Sequence, residues 1–130
     1  MIGVDTNVLV RFLVDDDPSQ NRSARLFMNA RTFEDPVFIS AVTLAESVWV
    51  LERRLKFSQA DVAAMLRALL ASEAAVVEHG DELALILESE LRTDLADFLI
   101  AWSGKGVGCT HTATFDRKAA KVVPSMELLS

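Results

Sequence analysis

Four acids carry the chemistry that this sequence could perform. Asp5 follows MIGV, Glu46 sits inside VFISAVTLAESVWVLE, Asp97 precedes FLIAW, and Asp116 follows CTHTATF. Carboxylates are hard oxygen donors. Gathered at one place they suit Mg²⁺ or Mn²⁺, whereas zinc would want Cys and His. Taken singly, each acid has a plainer explanation. Asp5 and Asp116 read as helix N-caps or first-turn acids. Glu46 can face solvent or pair with an Arg. Yet it stands among Val42, Leu44, Ala45, Val48, Trp49 and Leu51, close to apolar packing, where an unpaired carboxylate must be neutralised, paired or metal-bound. Asp94 and Asp97 are three apart on one helix face. Asp94 reads first as an N-cap, and Asp97 is the stronger ligand candidate. Cys109 and His111 have no second pair to complete a zinc set and read as a buried thiol and a satisfied histidine, while His79 has no evident partner.

These acids need elements to position them. Residues 1–5 read as a short strand and Thr6–Val14 as a first helix. A polar break at Asp15–Asp17 precedes a second helix from Pro18, a good first-turn residue, to Ala30. Val37–Ser40 is a second strand, followed by a long helix over Val42–Leu55. Ser58 with Asp61 resembles a capping box opening a helix to Leu70. Ala75–Glu78 is a third strand, Asp81–Leu91 a helix, and Asp94–Trp102 a helix ended by Gly104–Gly108. Cys109–Thr112 is a fourth strand, Asp116–Lys121 a last helix, and Met126–Leu128 a fifth short strand. Short apolar strands alternating with amphipathic helices specify an α/β fold with a mainly parallel sheet of four or five strands. Such sheets collect ligands beyond the carboxyl ends of their strands, which is where Asp5 and Asp116 fall.

The chain has 130 residues, 51% hydrophobic and 25% charged, which fits one compact domain over 1–130. A net charge of −6 excludes binding nucleic acid by general phosphate neutralisation. It leaves room for an enzyme whose acids surround cations. Glu46 and Glu52 interrupt the most apolar stretch, so no membrane span is expected. The amino terminus does not read as a signal peptide, and the single Cys109 suits a reducing cytoplasm. The aromatic residues Trp49, Trp102, Phe12, Phe27, Phe33 and Phe38 are expected mostly in the core.

The blocks VDTNVLVRFLVDDDPSQ, ISAVTLAESVWVLERR, DLADFLIA and TFDRKAAK resemble, in order and spacing, the signature segments of PIN-domain proteins, specifically the VapC toxins of bacterial toxin–antitoxin pairs. The resemblance implies a three-layer α/β/α sandwich and a ribonuclease dependent on Mg²⁺ or Mn²⁺. It also implies a homodimer held inactive by a small cognate antitoxin. By position, the catalytic and metal-binding acids would be Asp5, Glu46, Asp97 and Asp116, with Asp94 a less uniform fifth. Thr6, Asn7 and Thr114 would support them. Arg11, Arg117, Lys118 and Lys121 are candidates to grip substrate phosphates, whereas Arg53, Arg54 and Lys56 read as complements to a helix dipole. The rival reading is a non-catalytic PIN-fold module that binds RNA or a protein. A phosphatase of the haloacid-dehalogenase type would need an Asp where Asn7 stands. A receiver domain would need an Asp where the third strand ends in Glu78 and His79.

Overall fold

Apolar runs and amphipathic stretches alternate in the structure much as the sequence requires. A computed structural model describes residues 1–89 and 94–129. Their order is β1 (Ile2–Gly3), α1 (Thr6–Leu13), α2 (Pro18–Asn29), β2 (Val37–Ile39), α3 (Ala41–Trp49) and a π-helical turn (Val50–Arg54). Then come α4 (Gln59–Ala71), β3 (Ala75–Val77), α5 (Gly80–Leu87), α6 (Leu95–Gly106), β4 (Thr112–Thr114), α7 (Arg117–Val122) and β5 (Met126–Leu128). The α/β class is as expected, and every strand pairing is parallel. The chain divides into two compact units, Met1–Ala84 and Leu85–Ser130.

In the first unit β2 lies between β1 and β3, with Ile2 opposite Val37 and Val37 opposite Ala75. The core here is aliphatic. Val37 and Ile39 of β2 are buried, as are Leu9 and Val10 of α1. On α4 the buried residues Val62, Leu66 and Leu69 recur at helical spacing, which gives one apolar stripe. Ala41, Leu44, Val48 and Leu51 form the corresponding stripe on α3 and its π-turn. Helix starts are set by oxygen-bearing side chains. Asp17 accepts from the Gln20 amide at 3.2 Å, Ser58 from the Asp61 amide at 3.1 Å, and Ser40 from the Thr43 amide at 3.1 Å. Arg31 holds the approach to β2 by pairing with Asp35 at 2.8 Å and lying 4.7 Å over the Phe27 ring. The hydrogen bond from the Met1 amine, together with Arg31, outweighs desolvation and keeps the Asp35 carboxyl below its ordinary value.

In the second unit α6 buries Leu95, Phe98, Leu99 and Ala101, and the Phe98 and Trp102 rings lie 5.7 Å apart. Among the described residues Phe98 is the one aromatic in the buried core, and Phe33 and Trp49 are exposed. The expectation that most of the aromatic residues lie in the core is therefore corrected. Leu, Val and Ile at helical spacing fill the interior without the larger rings.

Three boundaries also differ from expectation. α6 runs through Gly104, because that glycine serves a close approach rather than a stop. A Cβ there would sit 3.3 Å from Thr112 Oγ1 and 3.6 Å from Cys109 Sγ. The helix ends at Gly106, and Gly108 just beyond it, with φ of 97°, closes it. The Gly108 amide donates to the Lys105 carbonyl and the Cys109 amide to the Gly104 carbonyl, a Schellman closure. This closure occupies residues 104–109, so β4 begins at Thr112 rather than Cys109, with Thr112 opposite Met126. Cys109 is consequently exposed instead of buried, and His111 lies 3.2 Å from Glu127. The long helix expected to reach Leu55 changes to a π-turn at Val50. The end expected for the fifth helix at Leu91 lies outside the described residues. Among the described residues no helix is long and apolar enough to cross a membrane.

Candidate active site

Asp5 stands at the turn from β1 into α1, and its conformation (φ −90°, ψ 176°) is that of an N-cap. Its Oδ1 accepts from the Val8 amide at 3.0 Å. Capping and metal binding are compatible roles. A carboxylate has two oxygens, and one hydrogen bond leaves room for a cation while fixing the group's orientation.

Glu46 lies across the same cavity. It is exposed, the solvent-facing one of the two readings left open by the sequence. The physical reason is the helix period. Ala41, Leu44, Val48 and Leu51 take the inward stripe of α3, and Val42, Glu46 and Trp49 occupy the outward one. The Thr6 hydroxyl donates to Glu46 Oε1, a link spanning forty positions of sequence. Thr43, buried on α3, donates to the Val4 carbonyl at 3.3 Å and accepts from the Ser40 hydroxyl at 3.1 Å. The residue before Asp5 is thereby tied to the helix that carries Glu46. Glu78, just past β3, accepts from the Ala41 amide at 2.7 Å and so anchors the start of α3.

Asp5, Thr6, Asn7, Asp16, Thr43 and Glu46 line a cavity of about 560 Å³ together with Arg11, Trp49 and Arg54. Arg11 is committed to neighbours: its guanidinium meets Asp16 at 2.6 Å and Gln20 at 2.8 Å. Asn7 reaches the same Gln20 oxygen at 3.5 Å. The donor set of this cavity is carboxylate, hydroxyl and amide oxygen without Cys or His. That composition fits Mg²⁺ or Mn²⁺, and Mg²⁺ commonly takes one or two carboxylates and keeps its remaining ligands as water.

In the second unit Asp116 caps α7, accepting from the Ala119 amide at 3.0 Å. Its own amide donates to Thr114 Oγ1 at 3.0 Å, so the threonine two residues earlier braces the acid. Asp97 is half-buried in the first turn of α6. Asp94 occupies the N-cap position, but its side chain makes no capping bond; its carbonyl accepts from the Asp97 amide at 3.1 Å. Arg117, Lys118 and Lys121 are exposed on α7. Among the described residues no three His, Cys, Asp or Glu side chains are grouped to hold a metal ion. The structure thus brings Asp5 and Glu46 to one cavity, and Asp97 and Asp116 belong to the other unit.

Sequence reasoning missed Thr43, Glu78, Trp49 and Arg54 at this site. Trp49 was legible from the outward stripe it shares with Glu46. Arg54 was not, because its placement depends on the π-turn.

The sequence matches the PIN domain family over residues 2–123. No curated protein and no solved structure gives a match. A match over most of the chain, on an α/β fold whose strands all pair in parallel, shows that the chain belongs to the PIN-domain family, generally a nuclease module that uses divalent metal ions.

Proposed function

We propose that residues 1–130 form one PIN domain that hydrolyses RNA phosphodiester bonds with Mg²⁺ or Mn²⁺, acting as the toxin of a toxin–antitoxin pair. The observation that carries the reading is the meeting of Asp5 and Glu46 in one oxygen-lined cavity, braced by Thr6. Asp5 and Glu46 would hold the ion in the first unit; Asp97, Asp116 and, less uniformly, Asp94 are the further catalytic and metal-binding acids that the family pattern implies. When bound, the ion supplies Lewis-acid polarisation of the phosphate and lowers the pKa of the attacking water. The residues' own part is to fix the carboxylates. The Val8 amide holds Asp5, Thr6 holds Glu46, and the Ala119 amide and Thr114 hold Asp116. Preset donors spare reorganisation at the moment of reaction. The products carry 5′-phosphate and 3′-hydroxyl ends.

The carboxylates of this cavity also suggest how the activity is restrained. The chain would form a homodimer, and its antitoxin would present an Arg or Lys to these carboxylates and compete with the ion. Heat denaturation across a Mn²⁺ titration tests the metal site. Mn²⁺ at about a hundred times its Kd raises stability by roughly 2.7 kcal/mol in the native chain. Asp5→Asn should abolish that gain. Equal stabilisation of both proteins would overturn the assignment of Asp5.

A further inference from the structure

The side of the cavity formed by α3 and the π-turn presents features that metal binding does not use. Trp49 is 55% exposed although it is a large aromatic residue at the end of α3. Arg54 is exposed at the end of the π-turn, and among the described residues it makes no ion pair. Arg11, the other cation at this cavity, is already engaged by Asp16.

The π-turn explains why Arg54 faces the cavity. In an unbroken α-helix, a residue eight positions beyond Glu46 would stand about 80° round the axis. The turn from Val50 to Arg54 closes with the Leu55 amide donating to the Val50 carbonyl at 3.0 Å, so it holds one extra residue. Arg54 therefore takes the phase of a residue seven positions on, roughly 20° from Glu46. Glu46, Trp49 and Arg54 then form one row along the cavity: a carboxylate, an aromatic face and a cation.

We propose that Trp49 and Arg54 form a subsite for one nucleotide of single-stranded RNA, with the base stacked on the Trp49 ring and its phosphate bound by Arg54. The proposal deepens the nuclease reading and rests on it. An acidic protein cannot draw in phosphate by its overall field, so a local unpaired guanidinium is the feature that can. Stacking suits single strands, whose bases are free, and tolerates any base.

The test uses the intact chain and a labelled single-stranded RNA, with binding followed by anisotropy in EDTA and KM measured in Mn²⁺. Arg54→Gln should weaken binding about tenfold and reduce the dependence of log K on log salt by about 0.7, one phosphate contact. Trp49→Phe should stay near the native affinity. Trp49→Leu, apolar but without an aromatic face, should lose about tenfold. Both substitutions keep an apolar side chain at an exposed position, so the comparison holds with the fold intact. The same RNA annealed to its complement should bind at least about tenfold more weakly. Cleavage by the native chain, with Arg54→Gln and Trp49→Leu matching it in both KM and affinity, overturns the subsite alone. Equal affinity for duplex RNA also overturns it. A native chain that binds RNA through these residues but never cleaves it supports the subsite and removes the nuclease reading.

Discussion

At the scale of single residues, substitution can separate the capping role of Asp5 from the metal role proposed for it. Asn caps a helix as well as Asp but carries no charge for a cation. Asp5→Asn should therefore melt, without metal, within a degree or so of the native chain, while its metal response disappears. Asp5→Ala loses the bond to the Val8 amide as well and should cost about 1 kcal/mol, or roughly 4 °C. Parallel melts in EDTA check the distinction; equal losses would show that the cap contributes little. Asp94 and Asp97 form a second contrast. The Asp94 side chain makes no capping bond, so Asp94→Ser should leave both stability and RNA cleavage close to native. Asp97→Ser should reduce cleavage at least about tenfold, and equal large losses from both would place Asp94 among the ligands. Asp5 and Asp116 were legible as caps because each stands between a strand and a helix. The choice for Glu46 between solvent and apolar packing was decided by Leu44, Val48 and Leu51, the inward stripe that excludes it. Arg54 was not legible, since nothing in VWVLERR marks where one extra residue enters the turn.

At the scale of elements, the site depends on how α3 is held. The Ser40 hydroxyl, the Glu78 carboxylate and the Thr43 link to Val4 fix its start against β1. Thr43→Val keeps the shape but leaves the Val4 carbonyl without that donor, at a cost of about 1 kcal/mol. Because it loosens the register between Asp5 and Glu46, it should lower cleavage on the order of tenfold, more than its effect on stability explains. Native kcat in a Thr43→Val chain of lowered Tm would reduce Thr43 to a packing role. Gly108 offers an independent check in the second unit. Its φ of 97° closes α6, so Gly108→Ala should destabilise the chain by about 1–2 kcal/mol. No change in Tm would contradict the closure described. Helix starts were readable from their caps: Pro18 behind Asp17, Ser58 with Asp61, and Asp116 before α7. Ends were harder, because Gly104 and Gly108 look alike in sequence and differ in what their backbones must do. One allows the close approach of Cys109 and Thr112, and the other reverses the chain.

At the scale of the whole molecule, nineteen acids against thirteen bases make RNA an unfavourable partner except where cations are gathered. Metal and substrate must therefore act together at the acids. The measurement that tests this most directly is RNA cleavage with sequenced ends, comparing the native chain with Asp5→Asn and Glu46→Gln, with and without Mn²⁺. The native chain should cleave in Mn²⁺ alone and leave ends bearing 5′-phosphate and 3′-hydroxyl, and each variant should lose at least about a hundredfold. Cleavage that persists in EDTA, or that survives Asp5→Asn and Glu46→Gln undiminished, would contradict the metal-dependent mechanism.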